Sequence, residues 1–124
     1  MRDPGRLRVT EVALRVATLT YAATKQFPVA EWQGLVPQMR RAAVSIGSNI
    51  TEGCGRSSEK QFFSFLQIAM GSACELEFQC RLAQSLELGP ATELADLLAA
   101  VQHSKRMLAR LSVNIRQRAD AHRT

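Results

Sequence analysis

Apolar residues recur every three or four positions along most of this chain, which is the spacing of one face of an α-helix. In the first such segment the period runs through Val12, Val16 and Ala23. The alternating pattern of a half-buried strand is nowhere sustained, so we expect an all-α protein. The pattern predicts four helices, over residues 7–26, 37–53, 58–87 and 91–117.

Proline, glycine and serine mark the ends of these helices. Pro28 should end the first, because proline and the residue before it disfavour the α conformation. Pro37 suits the first position of the second helix, where a missing N–H costs nothing. Gly53 is expected to end that helix in the left-handed conformation, Ser57 or Ser58 to cap the third, with Ser58 and Gln61 at the capping-box spacing, and Gly89 to close it. Short turns between long helices indicate an antiparallel up-down-up-down four-helix bundle.

A length of 124 residues allows a single domain over residues 1–124, and we expect flexible ends at about 1–6 and 118–124. No apolar run is long enough for a signal peptide or a membrane span. The 3 cysteines show no CxxC spacing, so neither a disulfide framework nor a zinc site is indicated. These features predict a reduced, cytoplasmic protein.

The formal net charge is +5, and the charges are unevenly distributed along the chain. Acids outnumber bases between Glu52 and Asp96, whereas arginines and lysines dominate the segments before and after. Such segregation favours a polyanionic partner, whether a nucleic acid, an acidic protein surface or an anionic membrane.

The sequence contains no pattern typical of a catalytic, cofactor or metal site. Metal sites in helix bundles need a histidine three residues after a glutamate, and that spacing is absent. The two histidines, His103 and His122, lie on or beyond the fourth helix, so a catalytic pair would need a nucleophile from another helix. Cys74 and Cys80 are candidates, but cysteines on such helices are usually small core residues. We therefore expect no enzymatic activity, no cofactor and no metal.

The segment from residue 38 to residue 56 is dense in small and polar residues where a bundle helix normally presents leucines. One interpretation is a buried polar network that fixes helix register, formed by Arg41, Asn49, Glu52 and Glu75. The other is a nest of backbone N–H groups over residues 53–58, with Arg56 adding charge for a phosphate. The sequence leaves both open.

A one-sided basic face is predicted on the fourth helix, where His103, Arg106, Arg110, Asn114 and Arg118 recur at three and four. It is either a solvated surface or a set of phosphate contacts that positions RNA or DNA without reading its sequence. The candidate nucleic-acid-binding residues along the whole chain are Arg40, Arg56, His103, Arg106, Arg110 and Arg118.

Several ordered motifs carry a family resemblance. They are Phe27-Pro28, Gln38 to Ile46, Ser48-Asn49-Ile50, Glu52-Gly53, Arg56, Gly71-Ser72-Ala73 and Glu75-Leu76-Glu77. In this order and spacing they closely resemble the bacterial four-helix-bundle proteins encoded in intervening sequences of 23S rRNA genes. The resemblance extends over about residues 7–111. Gly47 stands where most members have proline, and Thr51 where alanine is usual, which leaves the bundle prediction intact.

The resemblance implies a homopentameric ring of four-helix bundles, a suspected RNA-binding or scaffolding role, and no established enzyme activity. The same architecture occurs in the accessory protein of diversity-generating retroelements. Self-association would also cover apolar residues expected at the surface, namely Leu7, Val9, Leu14 and Trp32.

Two functions follow from these observations. The first is a non-enzymatic oligomeric scaffold that binds nucleic acid, RNA more readily than DNA, through its basic surfaces. The alternative is a protein-interaction adaptor, such as an accessory subunit of a reverse transcriptase. Neither involves a membrane.

Overall fold

Four long helices form the protein in a computed structural model, which describes residues 4–121. They are α1 (Pro4–Thr24), α2 (Leu35–Cys54), α3 (Glu59–Ser85) and α4 (Ala91–Ala121), with a short 3-10 helix (Val29–Glu31) between α1 and α2. Each helix packs antiparallel against the next, and α4 packs against α1. The structure thus confirms an up-down-up-down four-helix bundle, and no strand occurs within residues 4–121.

The apolar side chains on the inward-facing stripe of each helix pack together into one core. Its largest fully buried side chains include Phe62, Met39, Ile46, Leu76 and Leu108. The stripes of α2, α3 and α4 keep the spacing seen in the sequence. On α1 the inner stripe includes Val16 and Ala23 as predicted, whereas Val12, predicted on the same face, is only half-buried.

Two surface and core predictions are wrong. Val9, predicted at the surface, is only 1% exposed because it lies on the inner stripe of α1 with Ala13 and Val16. Cys80 is buried as expected, but Cys74 is exposed because it lies outside the inward-facing stripe of α3.

The beginning of α2 differs from the prediction by two residues. The helix starts at Leu35, so Pro37 is its third residue rather than its first. This shift costs no hydrogen bond, because the first four N–H groups of a helix have no partner within it, and the N–H that Pro37 lacks is one of these four. Glu31 supports this start, because its Oε1 accepts a hydrogen bond from Leu35 N at 3.4 Å.

The predicted left-handed conformation of Gly53 is also wrong. Gly53 is helical, α2 continues to Cys54, and no glycine among the described residues has a positive φ. The reason for a glycine here is close packing. A Cβ on Gly53 would lie 2.7 Å from Phe62 Cδ1 and 2.9 Å from Phe65 Cβ. The missing side chain therefore lets the end of α2 approach the beginning of α3.

A left-handed residue does end α3, but it is Glu87 (φ 53°) rather than Gly89. Leu88 N donates to Ala83 O at 3.0 Å and Glu87 N donates to Gln84 O at 3.1 Å, which is the bond pair of a Schellman motif. Gly89 serves the packing instead, since a Cβ there would lie 2.9 Å from Cε1 of the buried Phe27.

The outermost turns of α1 and α4 extend beyond the predicted helices. Residues 4–6 and 118–121, expected in the flexible ends, are helical. Residues 1–3 and 122–124, including His122, lie outside the described residues.

Candidate nucleic-acid interface

A groove of about 410 Å³ lies between α1 and α4 and collects four basic side chains. Arg8 comes from α1, and His103, Arg110 and Arg118 come from α4. Glu11 is the acid that lines the groove beside them. The wall also contains apolar atoms, so the guanidinium groups stand beside a partly apolar floor.

The antiparallel packing of α1 and α4 explains why these charges meet. The chain begins and ends with basic segments, and the first turns of α1 lie beside the last turns of α4. Arg8 is not among the residues predicted to bind nucleic acid, although it belongs to a visible cluster of arginines near the start of the sequence. Arg106 is exposed on the same side of α4 but does not line the groove.

Arg40, a predicted nucleic-acid ligand, lies at the opposite end of the bundle and is held by aromatic rings. Its Cζ lies 4.4 Å from the centroid of Tyr21 and 5.2 Å from that of Trp32. Its Nε donates to Thr24 Oγ1 at 3.0 Å. Arg40 therefore joins α1, the following loop and α2, and the structure does not place it with the α4 residues.

Two N–H groups of the predicted nest around Arg56 are already bonded within the turn. The amide N–H groups of Gly55 and Arg56 donate to Glu52 O and Gly53 O, which occupies them within the turn. The Arg56 guanidinium pairs with the Glu52 carboxylate and lies 4.9 Å from the Phe65 ring centroid. The predicted cap of α3 is made by Ser58, whose Oγ accepts a hydrogen bond from Gln61 N at 3.1 Å.

The predicted buried network of Arg41, Asn49, Glu52 and Glu75 does not form either. Arg41, Glu52 and Glu75 are exposed, since they lie outside the inward-facing stripes of α2 and α3. Asn49 is half-buried and donates through Nδ2 to Ser45 O at 2.8 Å.

The polar contact that does join α2 to α3 is a pair of serines. Ser45 Oγ and Ser72 Oγ lie 2.8 Å apart, within hydrogen-bonding distance. These small side chains therefore let α2 and α3 approach and supply a polar contact in place of the predicted network.

Comparison with known proteins identifies the family. A family model described as 23S rRNA-intervening sequence protein matches residues 5–110, which cover α1, α2, α3 and most of α4. The chain belongs to this family. The match includes Arg8, His103 and Arg110, and it ends before Arg118.

A solved structure supports the fold of this 23S rRNA-intervening sequence protein. It is a crystal structure of a protein with unknown function from the S23 ribosomal protein family of Bacteroides thetaiotaomicron VPI-5482. The two share a TM-score of 0.78 and 23% sequence identity, over 87% of this chain and 97% of the other. A comparison with curated proteins finds no match.

The carboxylate of Glu77 on α3 accepts hydrogen bonds from two side chains of α4. Lys105 Nζ donates to its Oε1 at 2.7 Å and Gln102 Nε2 donates to its Oε2 at 3.2 Å. These hydrogen bonds, led by the one from Lys105, lower the pKa of Glu77 below its usual value. The same bond raises the pKa of Lys105. Both groups thus favour their charged forms, as a structural ion pair does.

Within residues 4–121 no three His, Cys, Asp or Glu side chains are grouped so that they could hold a metal ion. Burial raises the pKa of the Cys80 thiol to about 12, with the negative charge of Glu77 adding to the effect. Nor is any helix in the described part long and apolar enough to span a membrane.

Proposed function

We propose that this protein is a non-enzymatic oligomeric scaffold that binds nucleic acid, RNA in preference to DNA, through the basic groove between α1 and α4. The observation that carries the proposal is the convergence of Arg8, Arg110 and Arg118 from two helices on one groove, with exposed Arg106 beside it. The reference to 23S rRNA in the family description makes RNA the first nucleic acid to test.

Arginines in this arrangement suit phosphates better than bases. Each guanidinium that neutralises a phosphate releases a condensed counterion, which gives affinity without sequence discrimination. Arg106 and Arg110 lie four residues apart on α4, or about 6 Å at 1.5 Å per residue, which is close to the spacing of consecutive phosphates along a nucleic-acid strand, and Arg118 follows eight residues later. The groove thus supports backbone contact along a short stretch of RNA.

Self-association is the second part of the proposal, with a homopentamer as the expected assembly. Large apolar side chains are exposed on two separate faces, including Leu14 (68%) on α1 and Phe78 (67%) on α3. Leu7, expected at the surface, is also exposed on α1. Trp32, expected there too, is exposed in the loop before α2 and belongs to neither face. If the α1 face of one copy packs on the α3 face of the next, the contact is head-to-tail, and a rotation of one fifth of a turn between copies closes such contacts into a ring of five. Repeated grooves in a ring would add avidity.

Multi-angle light scattering at micromolar concentration tests the assembly. We expect a mass of five chains, and the Phe78→Asp variant should dissociate because it places a charge in the apolar contact. A monomer mass for the unmodified chain would refute this part of the proposal. A cytoplasmic location fits both parts, since Cys54, Cys74 and Cys80 form no disulfide, as is usual in a reducing compartment.

Fluorescence anisotropy with labelled RNA tests the binding. The Arg106→Glu/Arg110→Glu variant should lose affinity at least tenfold at about 50 mM salt, and its salt slope should fall by about 1.4–1.8 because two phosphate contacts are lost. The matched control is Lys60→Glu/Arg116→Glu, which changes the net charge equally at exposed positions outside the groove.

Two outcomes would contradict the binding proposal. One is the absence of any RNA or DNA retention at about 50 mM salt, which is the result expected if the face instead meets an acidic protein. The other is an equal loss of affinity in both double variants, since that would show an effect of net charge without a localised site.

A further inference from the structure

Tyr21, Trp32 and Arg40 form an aromatic cluster at the end of the bundle where α1 leads into α2. The Arg40 guanidinium lies within cation–π distance of both rings, at 4.4 Å and 5.2 Å from their centroids. Hydrogen bonds hold the cluster in place. Trp32 Nε1 donates to Phe27 O at 3.2 Å, and Arg40 donates to Thr24 Oγ1 at 3.0 Å and to Tyr21 O at 3.5 Å.

Both rings are held in place yet remain open to solvent. Tyr21 is 46% exposed and Trp32 is 42% exposed. A ligand that stacks on a ring already fixed by its neighbours loses little conformational entropy, because the side chain has been ordered before binding. Aromatic surfaces of this kind, next to arginine, accept the faces of unpaired bases.

A cation faces the same surface. A shallow pocket of about 560 Å³ adjoins Tyr21 and is lined also by Pro37, Arg40, Arg41 and Val44. No carboxylate occurs among the described residues that line it. Arg41 is exposed and makes no side-chain hydrogen bond or ion pair within the described part of the chain. Its guanidinium is therefore available to an anion at the edge of the pocket.

Two carboxylates on neighbouring elements form no ion pair with Arg41. Glu31 precedes Trp32, and its Oε1 accepts a hydrogen bond from Leu35 N at the start of α2. Glu75 of α3 shares a second depression with Arg41 but does not pair with it. The pocket thus combines an apolar aromatic wall with a positive charge that no ion pair neutralises.

We propose that Tyr21, Trp32, Arg40 and Arg41 bind an unpaired nucleotide of single-stranded RNA. Its base stacks on the exposed ring surface of the cluster, and its phosphate contacts Arg41. The inference rests on the proposed nucleic-acid function and deepens it, since it names the strand state that is recognised. A base inside a duplex is stacked on its neighbours and cannot reach this surface.

Trp32 supplies a direct test, because it is the only tryptophan in the sequence and all tryptophan fluorescence therefore comes from it. A 12-nucleotide oligouridylate is titrated while tryptophan fluorescence and the anisotropy of a label on the RNA are both recorded. Two comparison strands are a duplex of the same length and an abasic ribose-phosphate strand with the same charge. We expect the single strand to quench Trp32, and the duplex and the abasic strand to bind without quenching.

Variants separate stacking from simple charge. Tyr21→Leu keeps apolar bulk but removes the ring, and should weaken single-strand binding between about fivefold and 150-fold. Tyr21→Phe should restore the affinity. Arg41→Gln should lower the salt slope by about 0.7, the value of one phosphate contact on a single strand. Lys60→Gln removes the same charge at the opposite end of the bundle and should leave quenching unchanged.

Three results would overturn the inference. If RNA binding responds to Arg106 and Arg110 but Trp32 fluorescence never changes, the proposed function stands and the stacking surface fails. If no RNA is retained at all, both fail. If Trp32 fluorescence changes on dilution of the protein alone, a second copy covers this surface and the RNA assignment is wrong. Far-UV circular dichroism confirms that each variant is folded.

Discussion

Gly53 and Gly71 lie in neighbouring helices, and their replacement by alanine should have opposite effects on stability. Alanine favours a helix over glycine by about 1 kcal/mol, so propensity alone predicts stabilisation at both positions. The surroundings differ. A Cβ at Gly71 meets nothing within 4 Å, whereas one at Gly53 would lie 2.7 Å from Phe62 and 2.9 Å from Phe65.

The magnitude follows from which atoms must move. Phe62 is only 2% exposed and has no space to retreat. The contact with Phe65 is made by its Cβ, which moves only with the backbone of α3. Overpacking of this kind costs about 2–3 kcal/mol, which exceeds the propensity gain. We therefore expect Gly53→Ala to lose about 1–2 kcal/mol and Gly71→Ala to gain about 0.5–1 kcal/mol.

Urea denaturation followed by far-UV circular dichroism measures both variants at one protein concentration. The free energies of unfolding of the two variants should differ by about 1.5–3 kcal/mol, although the chemical change is the same. A Gly53→Ala protein as stable as the unmodified chain would refute the packing argument for the α2–α3 junction. A loss of stability in Gly71→Ala would refute the description of that position as open.

Three further predictions concern single side chains. Glu87→Gly should stabilise the protein by about 0.5–1 kcal/mol in the same assay, because Glu87 holds a positive φ of 53° that glycine adopts without strain. Glu77→Gln should cost about 1–2 kcal/mol at pH 7. Because the folded pKa of Glu77 is lowered and that of Lys105 raised, this difference should shrink as the pH falls below about 4.5 or rises above about 10.5, measured by urea denaturation across pH. In native protein at pH 8, a thiol reagent should modify exposed Cys74 quickly and Cys80 only on unfolding; equal rates would contradict the burial of Cys80.

Residue spacing along α4 predicts only part of the candidate site. The recurrence of His103, Arg106, Arg110 and Arg118 at three and four places them on one side of α4, and the structure agrees. Spacing along one helix could not reveal that Arg8 completes the groove, since that contact joins residues more than a hundred positions apart through the packing of α1 on α4.

The same limit applies to the aromatic cluster. Nothing in the local sequence relates Arg40 to Tyr21, because they belong to different helices whose meeting is set by the loop between them. The polar network predicted around α2 does not form for a related reason. Its residues are close in sequence, but the helical twist turns Arg41 and Glu52 outward while Ser45 faces α3.

The sequence by itself determined the helical class, the number of helices and most residues of the core, because apolar periodicity is a local property that burial then satisfies. It also limited the cap of α3 to two serines, of which Ser58 has its hydroxyl three residues before the N–H that it binds. The tertiary structure alone decided why Gly53 and Gly89 are glycines, which basic residues share a groove, and where Arg40 is held. Each of these depends on distances between helices, and such distances are set by the packing of the whole bundle.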